Sequence, residues 1–178
     1  MLLALVVALL ASCGGGGGSE KVDPKTYVHD VCGAFLDWVN SVKQGSSQLQ
    51  QLNSVGTTPA DAKAALGKYI DSLITETQAT VAKLKDAGAP DVSNGDSIRS
   101  GLVDAFEKVQ EAFSQARDSI SGLSTTSPAA FKAATENLGS TLQGSLQGVS
   151  DSLNKIGDEP ELVKASNADA NCQQLNNL

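Results

Sequence analysis

Aromatic residues make up only 4% of this 178-residue chain, histidine occurs once, and 13 Lys and Arg stand against 20 Asp and Glu, for a formal charge of −7. No run of basic residues occurs, so phosphate backbones and anionic lipid head groups find no electrostatic footing, and nucleic acid is excluded as a partner. One histidine and the absence of any CxxC pair rule out common zinc spacings and the Glu-x-x-His pairs of carboxylate-bridged metal centres, so no metal site is expected. There is no nucleophile elbow and no phosphate-cradling glycine loop, so the chain is read as non-enzymatic and free of cofactors. Asp30, His29 and Ser41 are the residue types of a hydrolytic triad, but on one helix they point in different directions, and a triad needs convergence from separate elements. No apolar run is long enough to span a membrane: the longest, Met1 to Ala11, is about half of the roughly 20 residues required.

What the chain does contain is enough for one domain. With 40% hydrophobic and 19% charged residues its body is not disordered by composition, and at about 150 residues a fold buries roughly 68–70% of the unfolded surface.

The short apolar run ends at Leu10-Ala11-Ser12-Cys13, a branched apolar residue, two small residues and a cysteine. These four residues resemble the lipobox of bacterial lipoproteins. The resemblance implies that residues 1–12 are a signal peptide and that Cys13 becomes the N-terminus with diacylglycerol on its thiol. More than one acyl chain then anchors the protein stably to a membrane it does not span. The basic leader that such a peptide carries is not seen before the apolar run, so the expectation is a translation start upstream of Met1. Residues 13–22 would be a tether: Gly14 to Gly18 with Ser19 give a flexible reach of about 13 Å. The folded body, residues 23–178, would sit close to the extracytoplasmic face of the membrane.

With Cys13 lipidated, Cys32 and Cys172 remain, one near each end of the body. An even remainder in an extracytoplasmic protein favours a structural disulfide, which in the chain-entropy model is worth about 5 kcal/mol for a loop of this size. A redox-active pair, or metal ligation with His29 three residues before Cys32, are the competing readings.

Hydrophobic periodicity predicts an all-α body: an up-and-down antiparallel four-helix bundle with a short C-terminal helix and tail. The first helix opens at Asp23-Pro24, an N-cap followed by proline at the first helical position, and carries Val28, Val31, Phe35, Val39 and Val42 at three- and four-residue steps. It is expected to weaken at Gly45-Ser46-Ser47 and fray through Leu49 and Leu52 to Gly56. The second starts at Thr58-Pro59, buries Ala62, Leu66, Tyr69, Leu73, Val81 and Leu84, and stops at Gly88 and Pro90. The third is capped near Asn94 or Asp96 and lines up Ile98, Leu102, Ala105, Phe106, Val109, Phe113, Ala116 and Ile120 before Gly122. The fourth runs from Ser127-Pro128 through Phe131, Leu138, Val149 and Ile156 to Gly157, and no β-type alternation is seen.

Three surface features are candidates for function. Asp104, Glu107, Glu111 and Asp118 share a face of the third helix, read as a solvated acidic face partly offset by Lys108 and Arg117. Ser140, Gly144 and Gly148 place small residues at four-residue spacing on a polar side of the fourth helix, where another backbone could approach; this is the favoured partner-binding face. Trp38, at the edge of the first helix's stripe beside Tyr27, is read as core packing, with an anchoring role as the alternative. In layout the chain is similar to the small helical secreted lipoproteins of actinobacteria, on the cysteine early in helix one (Tyr27-Val28-His29-Asp30-Val31-Cys32) and the one in the tail (Asn171-Cys172). That resemblance implies no activity. The expectation is a monomeric, membrane-anchored binding module for an envelope protein, with an apolar-molecule or lipid carrier and a structural spacer as alternatives.

Cells expressing the full chain should incorporate an alkyne-tagged fatty acid into it, and Cys13→Ala should abolish the label. Label retained by the variant would overturn the anchor.

Overall fold

The computed structural model of the chain describes residues 21–52, 58–127, 129, 131–133, 136 and 158–177. Three long helices dominate: α1 (Pro24–Leu52), α2 (Pro59–Asp86) and α3 (Gly95–Ser121). Two short ones, α4 (Pro160–Ala168) and α5 (Ala170–Asn176), follow near the C-terminus. Among the described residues the fold is all-α apart from a two-residue parallel pairing of β1 (Lys21–Val22) with β2 (Ala89–Pro90).

The helix starts follow local chemistry. Asp23 Oδ1 accepts the backbone N–H groups of Lys25 and Thr26 at 2.9 and 3.3 Å ahead of Pro24. Thr58 Oγ1 accepts the N–H of Asp61 ahead of Pro59 and donates to the Asp61 carboxylate at 2.6 Å. At the other end of α2, Gly88 sits at φ 73°, the left-handed conformation that a residue with a Cβ rarely adopts, and so turns the chain into β2. Asn94 precedes α3 as expected but makes no side-chain cap; its amide reaches Glu159 Oε1 at 2.8 Å instead, tying the start of α3 to the start of α4.

Cross-helix contacts fix the topology. Asp37 meets Lys83 and the Tyr69 hydroxyl reaches the Val42 carbonyl, so α1 and α2 run antiparallel. Lys85 meets Glu107 while Asp71 meets Arg117, so α2 and α3 do as well. The ion pairs are solvent-exposed and contribute little individually; the packing of the apolar stripes carries the stability. All eight positions read as the α3 stripe are buried. Seven of them divide between two clusters: Ile98, Leu102 and Phe106 pack with Tyr27, Val31, Phe35 and Leu84, and Val109, Phe113, Ala116 and Ile120 pack with Ile70 and Leu73. Trp38 touches both clusters. Its indole N–H donates to Thr77 Oγ1 at 2.9 Å, and the Thr77 hydroxyl donates to the Leu73 carbonyl at 2.7 Å. Thr77 is 0% exposed, so this relay satisfies a polar group that would otherwise destabilise the core.

Several expectations are corrected. The first helix passes Gly45-Ser46-Ser47 and continues to Leu52, in line with the continuation expected through Leu49 and Leu52. Ser46 and Ser47 both donate to the Lys43 carbonyl at 2.9 Å, and a Cβ on Gly45 would collide with the Tyr69 ring, so tertiary packing uses the glycine that propensity would treat as a break. Of the stripe predicted on α2, Leu73, Val81 and Leu84 are buried, while Ala62, Leu66 and Tyr69 are only partly buried and Ile70, beside Tyr69, is buried instead. Lys21 and Val22, read as the end of the tether, join the body: the Val22 carbonyl accepts from the Asp91 N–H at 2.8 Å and Lys21 Nζ reaches Asp96 at 2.7 Å. The C-terminal segment is two helices joined at Asp169 rather than one short helix and a tail. Of the fourth predicted helix, the Phe131 N–H bonds the Ser127 carbonyl at 3.0 Å as a start there requires, and residues 137–157 lie outside the described residues.

Cys32 and Cys172 form a disulfide, with Cα atoms 5.1 Å apart across a sequence separation of 140. The pair is thus structural in placement: it holds α5 against α1. Cys32→Ser should lower stability by about 2–5 kcal/mol, read as a fall in the denaturation midpoint. An unchanged midpoint would show that the bridge does not contribute to stability.

Candidate functional site

The stripe on α1 read as bundle core does more than pack. Tyr27, Val28, Val31, Phe35 and Trp38 form one wall of an apolar cavity of about 410 Å³, with Phe106 of α3 beside them. The opposite wall comes from α4 and α5, through Val163, Ser166, Cys172 and Leu175. Leu162, 0% exposed, and Ala165 anchor α4 in the core, which turns Val163 and Ser166 along the cavity edge. Two other hollows are larger, about 480 and 550 Å³, but charged side chains such as Asp61, Lys68 and Glu161 line them. Among the described residues no charged side chain lines the apolar cavity.

Its aromatic floor is rigid. The Phe35 and Phe106 rings stack with centroids 5.1 Å apart, and Trp38 meets Phe106 edge-on at 5.4 Å. Burial pushes the Tyr27 phenol up to about 12, with Arg99 opposing weakly, so this hydroxyl stays protonated and is neither base nor nucleophile at ordinary pH.

The second wall is held by a polar clamp next to the disulfide. Asp169 ends α4 and caps α5: its Oδ1 accepts the N–H groups of Asn171 and Cys172 at 2.9 and 3.0 Å, and its Oδ2 lies 2.8 Å from His29 Nδ1 on α1. Asn171 Nδ2 adds a bond to the His29 carbonyl at 3.4 Å. The hydrogen bond from His29, the carboxylate charge and nearby Asp30 raise the imidazole pKa despite a small opposing desolvation. Burial alone would raise Asp169, but the His29 hydrogen bond, the Cys172 N–H and the His29 charge outweigh it, and its pKa is lowered.

Cys32, Asp169 and Cys172 bring two sulfurs and a carboxylate oxygen within 4.8 Å of one another. Joined as a disulfide, the sulfurs are not thiolate donors, and Asp169 is committed to His29 and two backbone N–H groups, so this set does not constitute a metal site. His29 is paired across 140 residues of chain with Asp169, not with Asp30 or Ser41.

The other sequence-predicted residues fare differently. Asp104, Glu107, Glu111 and Asp118 are exposed, and it is Lys85 that meets Glu107, while Arg117 turns to Asp71. Cys13 and the small-residue face of Ser140, Gly144 and Gly148 lie outside the described residues. The cavity's second wall was missed in sequence reading. The available signal was Asp169 preceding Ala170-Asn171-Cys172, an N-cap in what reads as an Asn-rich tail.

Among the described residues no helix is long and apolar enough to cross a membrane. No protein family, no curated protein and no solved structure matches the chain.

The raised His29 pKa sets the pH behaviour of the clamp. A raised pKa contributes stability below the unfolded value of about 6.5 and loses it as pH rises through the folded value; the lowered Asp169 contributes above about 4 and loses it on acidification. The charged pair is therefore complete in mildly acid solution. Proton NMR of the sole histidine should give a midpoint above about 6.5, and Asp169→Asn should move it down. Coincident midpoints in the two proteins would remove the pair.

Proposed function

We propose that this protein is a lipoprotein held at the extracytoplasmic face of a membrane by lipid on Cys13, whose helical body binds and carries a small apolar molecule or lipid without chemical conversion. The observation that carries this reading is the cavity itself. At about 410 Å³ it falls within the usual 300–1,000 Å³ of small-molecule sites, it is lined by aromatic and aliphatic side chains, and a disulfide crosses between its walls. In the same reading residues Ser127 to Gly157 complete an up-and-down antiparallel four-helix bundle. The cap-then-proline start and the Phe131 bond to Ser127 support that fourth helix.

Native mass spectrometry of the full mature chain, purified from its own membranes, tests the proposal. The anchor is covalent and survives denaturation, so a carried ligand appears as additional mass that denaturation removes. Val31→Phe, which fills the cavity from a buried position, should lose that mass. Should overpacking of about 1–3 kcal/mol impair folding, the partly buried Val39→Phe makes the same test. A wild-type chain free of non-covalent mass would overturn the carrier reading.

A further inference from the structure

Among the described helices, α5 has the weakest hold on the body. Cys172, 3% exposed, is its only buried residue, and Leu175 is partly buried against the same core cluster. At seven residues α5 is too short to be stable by itself, so its place depends on what ties it to α1. Those ties are the bridge to Cys32, a 3.4 Å bond from Asn171 to the His29 carbonyl and, at the cap, the pair of Asp169 with an exposed His29, a kind of contact that contributes little. Helix α4 differs, because Leu162 and Ala165 seat it in the core without either cysteine. Asp169, in extended conformation, separates the two helices and marks where one hold ends and the other begins.

The bridge is also within reach of solvent. Cys32 is partly exposed while Cys172 is buried, and both line the apolar cavity, so an attacking thiolate meets the Cys32 sulfur first. An Asp169 carboxylate oxygen lies within 4.8 Å of both sulfurs. A thiolate released on Cys172 would face that negative charge, which favours its protonation to a neutral thiol.

We infer that the Cys32–Cys172 bridge is a reducible catch: a dithiol oxidoreductase opens it, α5 undocks by hinging at Asp169, and the cavity loses part of one wall while α1 to α4 keep their packing. A thiolate of the partner attacks Cys32 Sγ, the bond between the two cysteines breaks, and its electron pair goes to Cys172 Sγ, which takes a proton from solvent. The partner's second thiol, after losing its proton to solvent, attacks the partner sulfur of the mixed disulfide and displaces Cys32, which is protonated in turn. Two electrons and two protons pass to the bridge, and the partner departs as a disulfide. Once the covalent tie is gone, the backbone entropy regained by seven residues outweighs the packing of Cys172 and Leu175. Cys172, Leu175 and Asn176 then leave the cavity wall. This goes beyond the carrier reading, and its test needs no ligand.

Hydrogen exchange read by mass spectrometry on the full mature chain, oxidised and then reduced with dithiothreitol under native conditions, tests the catch. Peptides covering residues 170–177 should exchange at least tenfold faster after reduction, while those of α2 and α3 change by less than twofold. Cys172→Ser should show the fast exchange without reductant; if that variant does not fold, reduction of the wild-type chain makes the same test. An oxidoreductase whose second cysteine is replaced by serine should be trapped as a mixed disulfide on Cys32. Unchanged exchange over residues 170–177 in the reduced protein would overturn the catch. Loss of protection throughout α2 and α3 would overturn it too, since the bridge would then hold the whole fold. A bridge that dithiothreitol reduces only in denaturant would show that no partner reaches it, and trapping on Cys172 would overturn the order of attack. The carrier reading is untouched by these outcomes and falls only if native mass spectrometry finds a bare chain.

Discussion

The Cys32–Cys172 bridge is the constraint on which the rest of the molecule depends. The helices α4 and α5 are 9 and 7 residues long, below the length at which an isolated helix is stable in water. Their position is set by what holds them to α1 and the core: one covalent bond, the buried side chains of Leu162 and Ala165, and the Asp169 clamp. Two short helices pinned at such points span a groove without filling it. That is a physical reason for an apolar space beside α1.

The two walls of that space differ in kind. On the α1 side, Trp38 is held by the Thr77 relay and by the edge of Phe106, and these residues sit where the two core clusters meet. Rigid aromatic packing of this sort costs little further entropy when a ligand arrives. On the α4 and α5 side the ties are few, and one of them, His29 with Asp169, is exposed and weakens as pH rises. Local opening therefore costs least on that side.

Much of the long-helix framework was legible in the chain. Asp23-Pro24 and Thr58-Pro59 each make the cap they announce, Gly88 takes the positive φ that ends α2, and every stripe residue of α3 is buried. These features are local, because a cap or a turn is decided by residues within four positions of one another, and a stripe by a single helical period. Gly45 shows the complementary case: the chain marks it only as a weak helix former, and that the Tyr69 ring from another helix lies against it is visible only in the tertiary structure. Ile70 and Tyr69 likewise exchange roles once α3 is in place.

The sequence by itself determined the helical class, the positions of the long helices among the described residues and, once Cys13 was set aside, the disulfide partners, since each of these follows from short-range chemistry or from counting. Only the tertiary structure decided what the α1 stripe faces. Val28, Val31 and Phe35 have the same period whether a helix or an open cavity lies opposite, and the apolar pattern carries no information about the distance to the next element. That distance is set by where Asp169, Leu162 and Cys172 bring a distant segment back, and contacts across 140 residues leave no trace in any local window of the chain.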